Sequence, residues 1–217
     1  GEEETPFYQD GNLYFSSTGH PGMGGLDVFR TEWNGSTWSS VKNMGPGYNY
    51  YYQVDTFSDD KIIAAGNYGD WGSGDFLISK FLANGELDIN FGNNGHSITD
   101  FSGQDDKLFQ TMLLEDNTIL TAGRSYDGNG SVYSISMARH LSNGQLDFSF
   151  GNNGQLSLDY VNTYFESLSF DIQDDNSIII MVDAGGGNNK LKIFKLAPNG
   201  ELDTSFGTDG FIEIPST

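Results

Sequence analysis

NGELDINFGNNG, residues 84–95, returns as NGQLDFSFGNNG at 143–154 and as NGELDTSFGTDG at 199–210. Copies within one chain can be aligned with each other, which separates what every copy keeps from what only one copy has. Asn-Gly supplies the positive backbone angles of a tight turn, and Leu87 offers an apolar anchor. Asp88 is short enough to accept backbone N–H bonds two or three residues on. Phe91 returns the loop to apolar packing, and Gly92 and Gly95 turn the chain where a Cβ would obstruct. Their counterparts are Leu146, Asp147, Phe150 and Gly151, then Leu202, Asp203, Phe206 and Gly207. Kept in all three copies, these residues read as architecture.

The copies start 59 and 56 residues apart, and a divergent fourth lies upstream at Asn34-Gly35. Four residues before each Asn stands a basic side chain: Arg30, Lys80, Arg139 and Lys195. Each unit also has an earlier Asp- and Asn-rich turn between apolar runs, as in FYQDGNLYF, TFSDDKIIAAG, LLEDNTILTAG and DIQDDNSIIIM. Short apolar runs joined by two turn residues are β-hairpins, giving strands a and b. A Gly-rich loop leads to strand c (DFLISKFL, LKIFKLA), and the Asn-Gly turn leads to strand d (HSITDF, QLSLDY, FIEI). Four short strands in a unit of roughly 55 residues match a propeller blade. No segment has the period of a substantial helix.

The string LxxNGxLDxxFGxxG resembles the delta-60 repeat of bacterial surface and secreted proteins, over residues 50 to 214. LYFSSTGHPGMGGLDVFR and the GSTWSSVKNMGPGYN that follows are similar to the WD40-like repeat of Tol-type periplasmic propellers. Both resemblances imply propeller blades in a bacterial protein of the periplasm, cell surface or secreted fraction, and neither implies a catalytic residue.

The expected fold is all-β: a propeller of four four-stranded blades, 1–46 (WD40-like), 47–101, 102–160 and 161–217, either a closed four-bladed ring or half of a larger one. The chain has no cysteine, which excludes disulfides, thiolate metal sites and cysteine nucleophiles. Thirty acidic residues against ten basic ones leave a charge of −20, which argues against nucleic acid and anionic lipid as partners. No apolar run is long enough for a membrane-spanning helix, so no membrane insertion is expected.

Catalytic patterns are scarce. His20, His96 and His140 belong to no HExxH or comparable motif, and His140 takes the place of Phe81 and Leu196 on strand c, a packed position. Variation collects in the loops from b to c and from d to the next a, which emerge together on one face of a four-stranded blade. There Asp70, Trp71, Tyr126 and Asp127 are unmatched by the other copies, as are Tyr48 and Tyr50 before the second unit. Aromatics among Gly, Asn and Asp are the composition of a binding surface. Asp127, Asn129 and Ser131 alternate like calcium ligands, but Gly at the sixth position and Glu at the twelfth are missing, so no cofactor is expected.

The residues thus lead to a non-catalytic binding or scaffold module, taking a protein or glycan on the loop face through Trp71, Tyr48, Tyr50, Tyr126, Asp70 and Asp127. Two alternatives stand beside it: a polysaccharide hydrolase or lyase using loop carboxylates, and a purely structural or engineered propeller that self-assembles. Apolar flanks at the ends of the blade series allow a homodimer that completes a larger ring.

Overall fold

The computed structural model describes residues 3–9, 11–17, 27–43, 49–57, 61–69, 74–101, 105–126, 133–160, 165, 167–184 and 190–214. Sixteen strands form four separate antiparallel sheets, each of four consecutive strands, and no helix occurs among these residues. The first blade holds β1 (Glu3–Gln9), β2 (Asn12–Ser17), β3 (Asp27–Glu32) and β4 (Lys42–Asn43). The second holds β5 (Asn49–Thr56), β6 (Ile62–Tyr68), β7 (Asp75–Phe81) and β8 (His96–Thr99). β9 (Asp106–Leu113), β10 (Ile119–Tyr126), β11 (Tyr133–His140) and β12 (Gln155–Tyr160) make the third. The fourth is β13 (Leu168–Ile172), β14 (Ile178–Ala184), β15 (Lys190–Leu196) and β16 (Phe211–Ile214).

Asn117 and Asn176, in the a-to-b turns, and Gly85, Gly144 and Gly200, in the c-to-d turns, all have positive φ, the backbone that Asn and Gly adopt at least cost. The aspartate of the repeated string behaves as its position demands: Asp88, Asp147 and Asp203 accept from the N–H of Asn90, Ser149 and Ser205 at 3.2, 3.0 and 3.0 Å.

Because strand residues alternate between faces, each blade has one face toward the blade before it and one toward the blade after. Leu120, Ala122, Ile135 and Met137 of the third blade pack against Phe170, Ile178, Ile180, Val182, Phe194 and Leu196 of the fourth. Ile63, Ile78 and Phe91 of the second meet Ile119 of the third, and Tyr14 of the first meets Ile62, Ala64, Leu77 and Phe81 of the second.

The recurrent basic residue is a clasp across these junctions. Arg30 donates to the Ala83 carbonyl at 3.1 Å, Lys80 to Ser142 at 3.0 Å and Arg139 to Pro198 at 2.7 Å, each acceptor being the residue before the next blade's Asn-Gly. Two further contacts repeat. Gly92 N–H donates to the Asn143 carbonyl at 2.8 Å and Gly151 N–H to Asn199 at 2.7 Å. The Asn-Gly turn also lies on the preceding blade's buried Phe: a Cβ on Gly144 would come within 3.0 Å of the Phe91 ring, and one on Gly200 within 2.9 Å of Phe150. These junctions join the first blade to the second, the second to the third and the third to the fourth. The described blades form an open arc, which removes the closed four-bladed alternative for this conformation.

Candidate functional site

Strand c of the second blade begins at Asp75, strand d of that blade runs out at Asp100, and strand a of the third blade begins at Asp106. All three lie on the rim where the b-to-c and d-to-a loops emerge. Stacking the blades brings their carboxylates together, with oxygens within 4.8 Å of one another. Asp100 is exposed, Asp75 half-buried and Asp106 fully buried.

A lattice of backbone bonds fixes this corner. Asp106 N–H donates to the Gly74 carbonyl at 2.6 Å, and Gly74 N–H donates to Asp105 Oδ1 at 3.3 Å. Asn67 bridges the blades, donating through Nδ2 to the Asp106 carbonyl at 2.8 Å and accepting from Leu108 N–H at 3.2 Å. Phe101 packs edge-on against Phe76, with ring centroids 4.9 Å apart, and its N–H donates to Asp106 Oδ2 at 2.7 Å. That bond holds the turn carrying Asp100 over the buried acid.

The electrostatics separate the three acids. Burial raises the Asp75 carboxyl above its ordinary value, and the Asp100 charge raises it further. Burial pushes Asp106 up to about 6; the bonds from Phe101 N–H and Ser125 pull against this, and the charges of Asp100 and Asp75 add to it. Asp75 and Asp106 therefore keep protons to higher pH than a free carboxyl, beside the exposed Asp100. Three such oxygens are spaced for a divalent cation, but Asp106 is sealed from solvent and already accepts from Phe101, which leaves Asp75 and Asp100 as the accessible pair.

The raised Asp106 pKa has a consequence for stability. Stability linked to this proton is fully present below pH 3.8 and is lost as pH rises through about 6, by about 3 kcal/mol. Asp106→Asn keeps an acceptor without a titrating charge, so its advantage over the parent in urea unfolding grows between pH 4 and pH 7. An advantage equal at both ends contradicts this. His140 acts in the opposite sense in both proteins and so cancels: burial lowers it to about 4, and stability tied to its neutral ring is lost as pH falls from 6.5. It bonds Thr99 Oγ1 at 2.9 Å and is buried, as its place on strand c requires. His96 Nδ1 lies 2.6 Å from Ser79 Oγ, but Ser79 is buried and offers no nucleophile to a substrate.

Of the residues expected at the loop face, Tyr126 ends β10 on this rim. Its N–H donates to the Asp105 carbonyl at 3.1 Å, and its half-buried ring stacks on Tyr133 with centroids 5.2 Å apart. Tyr50 lies within β5, in register with Asn67. Tyr48, Asp70, Trp71, Asp127, Asn129 and Ser131 lie outside the described residues, and so does His20. Sequence reasoning missed Asp75, Asp100 and Asp106, which stand at strand ends rather than within the variable loops. A signal was present: the counterpart of Asp106 in the fourth unit is Phe165.

The family model described as a domain of unknown function (DUF5122) beta-propeller matches residues 58–91 and 173–206, which supports a β-propeller repeat. No curated protein matches the chain. Among solved structures, one described as a GH43_12 retrieved from capybara gut metagenome is 12% identical with a TM-score of 0.47; the match covers 93% of this chain and 41% of that one. The endo-arabinase from Bacteroides thetaiotaomicron VPI-5482 is 10% identical with a TM-score of 0.44, over 98% of this chain and 73% of that one. The chain thus spans less than half the length of the first. The expectation that this chain is not an enzyme rested on finding no catalytic pattern in the sequence, and the enzymatic descriptions of both structures stand against it. Likeness at this level assigns neither an activity nor a residue.

Proposed function

We propose that this propeller hydrolyses a neutral polysaccharide on its loop rim, with Asp75 as general acid and Asp100 as nucleophile. The observation that carries the reading is the Asp75–Asp100 pair: a half-buried acid whose pKa burial raises, beside an exposed acid, with oxygens within 4.8 Å. Two acids whose surroundings separate their roles are the working parts of a glycosidase. Retaining enzymes place them about 5–5.5 Å apart, and inverting enzymes leave a wider gap for water. Asp75 donates its proton to the leaving glycosidic oxygen as Asp100 bonds the anomeric carbon. Water then displaces Asp100 and returns the proton to Asp75. Asp106 touches no substrate and positions Asp100 through Phe101.

The stacked Tyr126 and Tyr133 rings offer an apolar wall to a sugar face at the same rim. A charge of −20 disfavours acidic glycans, and the name of the endo-arabinase makes arabinan the first neutral substrate to try. The resemblance to repeats of exported bacterial proteins supports a substrate met outside the cytoplasm.

Reducing-end release from arabinan and other neutral glycans tests this. Asp75→Asn and Asp100→Asn should each lower the rate by at least about 10²-fold while leaving the circular dichroism spectrum unchanged. Release should also fall as pH rises through the elevated Asp75 pKa. No release from any glycan, or full activity in both variants, contradicts the reading.

A further inference from the structure

The two ends of the arc carry opposite halves of the junction that joins every internal pair of blades. In the second and third blades the face toward the next blade presents Ile63, Ala65 and Ile78, then Leu120, Ala122 and Met137, all buried. By strand register the same positions in the fourth blade are Ile179, Met181 and Ile193. Here Ile179 and Ile193 are only half-buried, and Met181 and the neighbouring Ile212 and Ile214 are 42%, 40% and 44% exposed.

The polar parts are left over in the same way. Lys195 is the fourth clasp residue, and its ammonium stands 3.9 Å from Asp175 of its own blade, where its counterparts reach a carbonyl of the next blade. Gly207 is the counterpart of Gly92 and Gly151, and its N–H has no acceptor among the described residues. Phe206 is half-buried where Phe91 and Phe150 are sealed under an Asn-Gly turn.

At the other end the first blade offers the missing pieces. Its turn Trp33-Asn34-Gly35 corresponds to Ser142-Asn143-Gly144, and a Cβ on Gly35 would meet no atom within 4 Å. Tyr8, Trp33 and Trp38 beside it are 58%, 40% and 45% exposed and pack on one another. Contiguous exposed apolar surface of this kind marks an interaction site.

We propose that a second copy of this chain completes both ends. The fourth blade of each protomer docks on the first blade of the other, closing a two-fold ring of eight blades. In each new junction Lys195 reaches the Trp33 carbonyl of the other copy, Gly207 N–H donates to its Asn34 carbonyl, and its Gly35 caps Phe206. Forming the junction twice closes the ring and leaves no open flank, the condition for a finite assembly. Charge opposes it, since each copy carries −20, so association tightens as salt rises.

Light scattering on the full chain should give twice the 23.8 kDa chain mass. Met181→Asp with Ile212→Asp, and separately Trp33→Asp with Trp38→Asp, should each weaken the dimer by about 100-fold or more, since both bury uncompensated charge at both junctions. Mixing the two variants restores one unaltered junction and should recover association. Circular dichroism identifies any variant that fails to fold.

The absence of cysteine allows a second test that does not depend on those variants. Ile212 is the counterpart of Ser97, whose Oγ donates to the Gly144 carbonyl at 2.8 Å, and Ser36 follows Gly35. Ile212→Cys with Ser36→Cys should therefore form a disulfide-linked dimer under mild oxidation. A chain that stays monomeric at every concentration overturns the proposal. So does a cross-link within one chain, which means closure on itself, or a dimer that survives Trp33→Asp with Trp38→Asp, which means blade four pairing with blade four.

Discussion

Gly123→Ala will destabilise the protein by about 3 kcal/mol or more, although it adds a single methyl group. Gly123 lies inside β10, facing the Phe76 ring of the second blade. A Cβ there would stand 2.0 Å from the Lys107 carbonyl oxygen, 2.7 Å from the Phe76 ring and 2.8 Å from the Leu108 Cα. Two of these three obstacles are backbone of the paired strand β9, so no rotamer change relieves them. The neighbouring register is already irregular between Ala122 and Gly123. Overpacking of a filled site costs typically 1–3 kcal/mol, and a backbone clash belongs at the upper end of that range or beyond it. The damage also reaches the carboxylate corner, because Leu108 and Phe76 lie beside Asp106 and Asp75. Urea denaturation checks this; a change under 1 kcal/mol would mean that β9 and β10 can separate cheaply.

Phe150→Ala should cost about 3–5 kcal/mol, whereas Phe206→Ala at the equivalent position of the last blade should cost far less in the monomer. Phe150 is fully buried, with the Gly200 turn on its ring and the Arg139 guanidinium 5.0 Å from the centroid. Phe206 has the same neighbours within its own string but no following turn, and remains half-buried. The difference between the two substitutions measures what a following blade adds to the one before it. Equal losses, read from denaturation below the concentration at which copies associate, would show that the plug is stabilised within its own blade.

The blades were legible because their signals are local. Asn-Gly turns, Asp-rich hairpins and alternating apolar runs each specify a few consecutive residues, and among the described residues these patterns fall on strands and turns. Recurrence also singled out Arg30, Lys80, Arg139 and Lys195 as one class, but not what they hold. The acceptors that Arg30, Lys80 and Arg139 reach in the next blade are backbone carbonyls, which leave no trace in side-chain identity. The carboxylate corner was hidden for a different reason. Asp75, Asp100 and Asp106 belong to two blades, and only the stacking of sheets brings them together, so their spacing along the chain says nothing. Of the loop aromatics, Tyr126 falls on the same rim as the acids. Sorting strand starts as well as loops would have found Asp106, an acid where the fourth unit has a phenylalanine.

The most direct measurement is proton NMR of the first sugar released from arabinan, read before the product equilibrates between its anomers. An oxygen spacing within 4.8 Å between Asp75 and Asp100 leaves no room for an attacking water opposite the acid, so the first product should keep the anomeric configuration of the substrate. A product of inverted configuration, or no product at all, would contradict the account.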